Sequence, residues 1–194
     1  MTANHRLFAC CSMLALAFVG CVTPAQVDYL TLEAPSSDVM RRDVAAVSVG
    51  PIALPDYLKR SGLARRDAAG ALHYSTTTLW AEPLDRGIQR SLVDTLAYAL
   101  GETPVLVFPH TSSTQARYSI RVDLRQIEVT DTRIAMHASW SILALPAPAG
   151  KRVSTGTFRD ERSVASPDGP AIARGISGLV QALGLEIAAA LPAD

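Results

Sequence analysis

In this 194-residue chain the residue best placed to do chemistry is Cys21, a thiol directly behind the apolar stretch Met13 to Gly20. The chain opens on a short basic start at His5 and Arg6, continues through apolar Leu7 to Val19, and reaches Phe18-Val19-Gly20-Cys21. A positive start, an apolar run of about 7–15 residues and small residues before the cut define a secretory signal. With cysteine next after the cut, the layout is that of a bacterial lipoprotein signal, although Phe18 stands where leucine is usual. Cys21 is then expected to carry a diacylglyceryl group and an N-acyl chain such as palmitate. A spanning helix would need about 20 apolar residues, and Thr23-Pro24-Ala25-Gln26 ends the run too early. An ordinary secretory peptide with a free terminal cysteine is the alternative. The organisation that follows is a signal peptide over 1–20, a lipidated N-terminus and linker over 21–28, and one periplasmic domain over 29–194.

The rest of the chain offers little chemistry. Cys10 and Cys11 fall in the segment to be removed, so Cys21 is the sole mature cysteine, and no disulfide, CxxC pair or cysteine zinc site is expected. His73, His110 and His137 are scattered over three elements without the i, i+4 spacing of a helical metal site. His137 stands between Met136 and Ala138 in a strand pattern and reads as an exposed sheet histidine. No GxSxG nucleophile elbow and no Gly-rich phosphate loop is present. Gly175-Ile176-Ser177-Gly178 falls within a helix pattern and marks close packing. Asp160, Glu161 and Asp131 suit either a carboxylate pair or solvated turn charges. No catalytic residue, metal or separate cofactor is expected.

Composition sets the frame for these residues. Removing the first 20 residues leaves 174, the size of one domain, and 48% hydrophobic residues suffice for its core. Loss of Arg6 leaves 17 basic against 18 acidic residues. That balance argues against a nucleic-acid binder, which needs a concentrated basic surface. Tyr29 to Leu32 and Val44 to Val49 read as strands, and an extended region from Leu63 to Thr78 turns at Ala69-Gly70. Leu84, Ile88, Leu92, Leu96 and Leu100 then make one stripe of an amphipathic helix, opened by Glu82-Pro83 and stopped by Gly101. Val105 to Phe108 is a further strand. Tyr118, Ile120, Val122 and Leu124 alternate with polar residues, and the phase flips at Ile127 and Val129, which predicts a bulge near Gln126. Ile134 to Leu145 and Arg152 to Val164 complete an antiparallel meander, joined by a turn over Pro146 to Gly150. Pro170 opens a final helix with the stripe Ile172, Ile176, Leu179, Val180, Leu183 and Ile187. The expected fold is α/β (α+β): a two-layer sandwich, mostly antiparallel sheet, with two main amphipathic helices on one face.

Two segments stand apart. VGPIALPDYLKR, residues 49–60, places Pro55, Tyr57, Leu58 and Arg60 after a strand, and LWAEPLDRGIQRSL, residues 79–92, places Trp80, Glu82, Pro83 and Leu84 at a helix start. Trp80 and Tyr57 fit core aromatics. They also fit a protein-binding rim, since tryptophan, tyrosine and arginine dominate binding hot spots.

A strand ending in VGP, then LPxYLxR, then WAEPL and an amphipathic helix behind a lipobox resembles the PqiC (YmbA) group of ABC-type transport auxiliary lipoproteins. The resemblance covers most of the mature chain, from Tyr29-Leu30-Thr31-Leu32 to the last helix. It departs at Ser61 to Arg65, where the family often has Pro-Gln. The resemblance implies a non-enzymatic, lipid-anchored partner of an MCE-domain (PqiB-like) protein in intermembrane lipid transport, contributing to membrane integrity, with ring-like self-assembly. Val22, in place of an aspartate, implies sorting to the periplasmic face of the outer membrane. Two other readings remain: a structural envelope lipoprotein without a transport role, and a periplasmic hydrolase.

Overall fold

The computed structural model describes residues 25–33, 44–109, 116–145 and 152–193. The expected signal peptide over 1–20, Cys21, His110 and the turn expected over Pro146 to Gly150 lie outside the described residues. In chain order the elements are β1 (Asp28–Leu30), β2 (Val47–Ala53), β3 (Gly62–Arg66), β4 (Leu72–Trp80), α1 (Leu84–Leu100), β5 (Val105–Val107), β6 (Tyr118–Val129), β7 (Arg133–Ala144), β8 (Arg152–Ser163) and α2 (Gly169–Ala190), with a 3-10 turn at Asp56–Leu58. They build the expected mixed, mostly antiparallel sandwich. The strands divide into a five-stranded sheet, β5-β2-β6-β7-β8, and a three-stranded sheet, β1-β4-β3.

The meander follows its alternation. β6, β7 and β8 pair antiparallel, and the register shifts between Leu124, opposite Ala138, and Gln126, opposite His137. One inserted residue lets Ile120, Val122 and Leu124 on one side of the bulge and Ile127 and Val129 on the other all point inward. β2 departs from expectation. It begins at Val47 rather than Val44, passes through Gly50-Pro51 to Ala53, and pairs parallel with both β5 and β6. Pro51 has no N–H to give the ladder, so the register breaks between Val49 and Ile52 and then resumes. β1 is shorter than its apolar letters suggest and lies parallel to the end of β4.

Both helices bury the stripes read from their spacing: Leu84 to Leu100 in α1, Ile172 to Ile187 in α2. Gly101 ends α1 at a positive φ of +71, which favours glycine, and its N–H donates to the Ala97 carbonyl. Asp168 caps α2 by accepting the Ala171 N–H at 2.7 Å. α1 lies over β2 and β5, α2 over β7 and β8, and the two pack against each other. Their approach requires Gly184, where a Cβ would come within 2.7 Å of Thr95 Cγ2. α2 is long and apolar enough to cross a membrane, yet 56% of its apolar window is buried in this sandwich, as in a core helix.

Candidate partner-docking site

Behind β2 the chain turns on Leu54-Pro55. The Pro55 carbonyl accepts the Leu58 N–H at 3.0 Å, closing the 3-10 turn, and Leu54 and Leu58 enter the core. Tyr57 does something the sequence did not suggest. β2 ceases to pair with β6 at Ala53, opposite Asp123, and farther along β6 the Tyr57 phenol both donates to the Ile127 carbonyl and accepts the Ile127 N–H, each at 3.2 Å. One hydroxyl thus serves both backbone groups of Ile127. Burial pushes the phenol pKa up, against the opposing pull of the Ile127 bond. Tyr74 O–H donates to the Tyr57 carbonyl at 3.1 Å, and the Arg60 guanidinium stands 4.8 Å from the centre of the Tyr74 ring, within cation–π range.

The second segment meets the first from across the small sheet. Trp80 is buried, and its backbone N–H donates to the Ser61 carbonyl at 2.7 Å. Glu82 accepts from Arg90 Nη2 at 2.6 Å, pinning the entry of α1 to its second turn. Pro83 is exposed at the helix start, whereas Leu84 is core. Deeper in the same corner, the Gln89 amide donates to the carbonyls of Val49 and Phe108, both at 2.8 Å, tying α1 to β2 and to the end of β5.

Between the two segments opens a cleft of about 320 Å³ lined by Ile52, Ala53, Leu54, Lys59, Pro83 and Asp85. Its wall is apolar, with one ammonium and one carboxylate at the edge. Lys59 Nζ lies 2.6 Å from Asp56 Oδ1, and this hydrogen bond, with the Lys59 charge behind it, holds the exposed Asp56 carboxyl below its usual range. Such a surface suits a peptide segment with an apolar side chain and flanking charges.

The structure therefore brings the two segments together but sorts their residues. Of the eight expected contact residues, Pro83 lines the cleft; Pro55, Tyr57, Arg60 and Glu82 are not among its lining; Leu58, Trp80 and Leu84 are buried and serve the core. Ile52, Ala53, Leu54, Lys59 and Asp85 line the cleft without having been expected there. Lys59 was visible inside LPDYLKR, and Asp85 two residues beyond Pro83, but nothing in their types marked them off from ordinary surface positions.

Elsewhere, the ambiguous polar groups have ordinary employment. His73 Nε2 lies 2.8 Å from Asp67 Oδ2, on a hairpin that Asp67 itself closes by accepting the N–H groups of Ala69 and Ala71. Asp131 faces Arg65 and Glu161 faces Arg133, so the carboxylates meet separate arginines. His137 is half-buried rather than exposed, because Gln126 and Arg159 flank it on the neighbouring strands. Two broader hollows, of about 440 and 670 Å³, lie on the open meander, one around His137 and Arg159, the other around Arg121, Asp123 and Ser141. Size alone would favour them. The small cleft is preferred because both motif segments build it.

The family model of the ABC-type transport auxiliary lipoprotein component matches residues 30–188. The chain belongs to this family. Among solved structures, one of an uncharacterized protein aligns with TM-score 0.67 at 18% identity, over 84% of this chain and 97% of its own. A Xanthomonas campestris protein of the DUF330 family aligns with TM-score 0.66 at 15% identity, over 84% and 92%. These two share the fold. A PelC dodecamer from Paraburkholderia phytofirmans aligns with TM-score 0.43 at 15% identity, over 84% and 97%, too loosely to bear on assembly. No curated protein sequence matches the chain. As a member of the family, the chain is an auxiliary lipoprotein component of ABC-type transport.

Proposed function

We propose that this auxiliary lipoprotein is held by lipid on Cys21 at the periplasmic face of the outer membrane. There it docks an MCE-domain, PqiB-like protein of an intermembrane lipid transport system. The role is non-enzymatic, and it contributes to membrane integrity. The convergence of LPxYLxR and WAEPL on one cleft carries the docking reading, since two segments about 25 residues apart supply complementary walls to a single small surface. Several copies side by side would present the cleft repeatedly to one partner, which is the use a homo-oligomeric ring would have.

Co-purification of the native, lipidated protein in mild detergent tests this. Recovery of an MCE-domain protein, lost in a Lys59→Glu, Pro83→Glu double variant of unchanged fold, is the expected result. Preparations with no MCE-domain or other transporter component contradict it. If the partner is recovered but a deletion strain traffics lipid normally once the assembly is otherwise stabilised, the role is structural.

A further inference from the structure

Val27 and Tyr29 lie at the outer edge of the small sheet, where β1 flanks β4. Tyr29 is 67% exposed, more than any other large hydrophobic side chain among the described residues, and Val27 is 39% exposed. Two residues apart in extended chain, they share one side, while Leu30 turns into the core at 5% exposure. Covalent reach limits where they can go: six and eight residue steps from Cys21 span at most about 20 and 27 Å. A tether this short keeps the pair at high effective concentration beside whatever surface holds the lipid, so a weak contact is still populated. A tyrosine ring with its polar tip suits the headgroup layer, where such side chains concentrate. Residues 25–33 hold Asp28 and Glu33 and no basic residue, so an anionic lipid surface would repel this edge and a zwitterionic one would not.

We propose that Val27 and Tyr29 rest in the headgroup layer of a zwitterionic phospholipid surface and set the tilt of the anchored domain. This rests on the Cys21 anchoring of the proposed function. The lipid supplies affinity; the patch supplies orientation, and with it the direction in which the cleft faces.

The test uses full, lipidated protein in phosphatidylcholine vesicles whose acyl chains are brominated. Tyr29→Trp is compared with Tyr98→Trp, a 43% exposed site on α1, after subtracting the signal of the buried Trp80 and Trp140. The indole introduced by Tyr29→Trp is expected to emit at shorter wavelength and to be quenched about twofold more than that of Tyr98→Trp, as an interfacial ring would be. Replacing part of the lipid with phosphatidylglycerol is expected to weaken that quenching. Equal quenching of the two variants on vesicles that carry the protein overturns the inference. So does shielding of the Tyr29→Trp indole that appears only at high protein density, which would mark a second copy as the occupant. Protein that fails to float with the vesicles overturns the Cys21 anchoring itself.

Discussion

The helix-covered sheet and the motif end of the small sheet hold together by different means. In the first, Ile88, Leu92, Leu96, Ile120, Leu179 and Leu183 are wholly buried, and regular elements repeat the same contact along their length. In the second, individual bonds join the 3-10 turn to β6 and β4 and the loop before α1 to that helix: Tyr57 to Ile127, Tyr74 to the Tyr57 carbonyl, Glu82 to Arg90. Diffuse burial sets whether the chain folds. Point contacts set the shape of the cleft. Substitutions in the two regions should therefore separate loss of stability from loss of local form.

The largest effect belongs to the core. Leu92→Ala, between α1 and α2, is expected to cost about 2–5 kcal/mol through lost burial and the cavity left behind, read from urea denaturation with a single transition. At the motif end, Tyr57→Phe leaves both backbone groups of Ile127 without their partner, at about 1–3 kcal/mol. Its signature is local: faster hydrogen exchange at the Ile127 amide than across the rest of β6. A loss matching Leu92→Ala, with exchange raised everywhere, would erase the distinction between the regions. Arg60→Ala removes one exposed cation–π contact and should cost about 0.5–1 kcal/mol, in a thermal melt otherwise unchanged.

The smallest effect returns to the regular region. The Ala171 N–H, first, and the Ser166 hydroxyl hold the Asp168 carboxyl below its usual pKa. A depressed folded value means that this contribution is fully present above the ordinary carboxylate pKa of about 3.9 and is lost as pH falls through the folded value. Asp168→Ala should melt slightly below the native chain at pH 6, and the gap should close on acidification. A gap that widens would contradict the capping role.

The same contrast explains what could be read in advance. The meander, its bulge at Gln126 and both helix stripes depend on alternation or four-residue spacing, which are local signals. The parallel pairing of β2 with β5 and β6, and the separate small sheet, depend on neighbours far along the chain. Tyr57 shows the difficulty at one residue: a core aromatic and a binding residue look alike until Ile127, 70 positions away, is found against its hydroxyl. Trp80 and Leu84 were legible as hydrophobic residues, not as residues turned away from the cleft they frame.

Site-specific photo-crosslinking in cells, with lipidated protein, tests the docking claim most directly. A crosslinker at Asp85, on the cleft wall, is set against one at Thr155, on the open face of the meander. The expected result is a crosslink to an MCE-domain protein from position 85 and none from position 155. Capture of that protein from position 155 alone, or from neither position while the protein is present in the same membranes, would contradict the account.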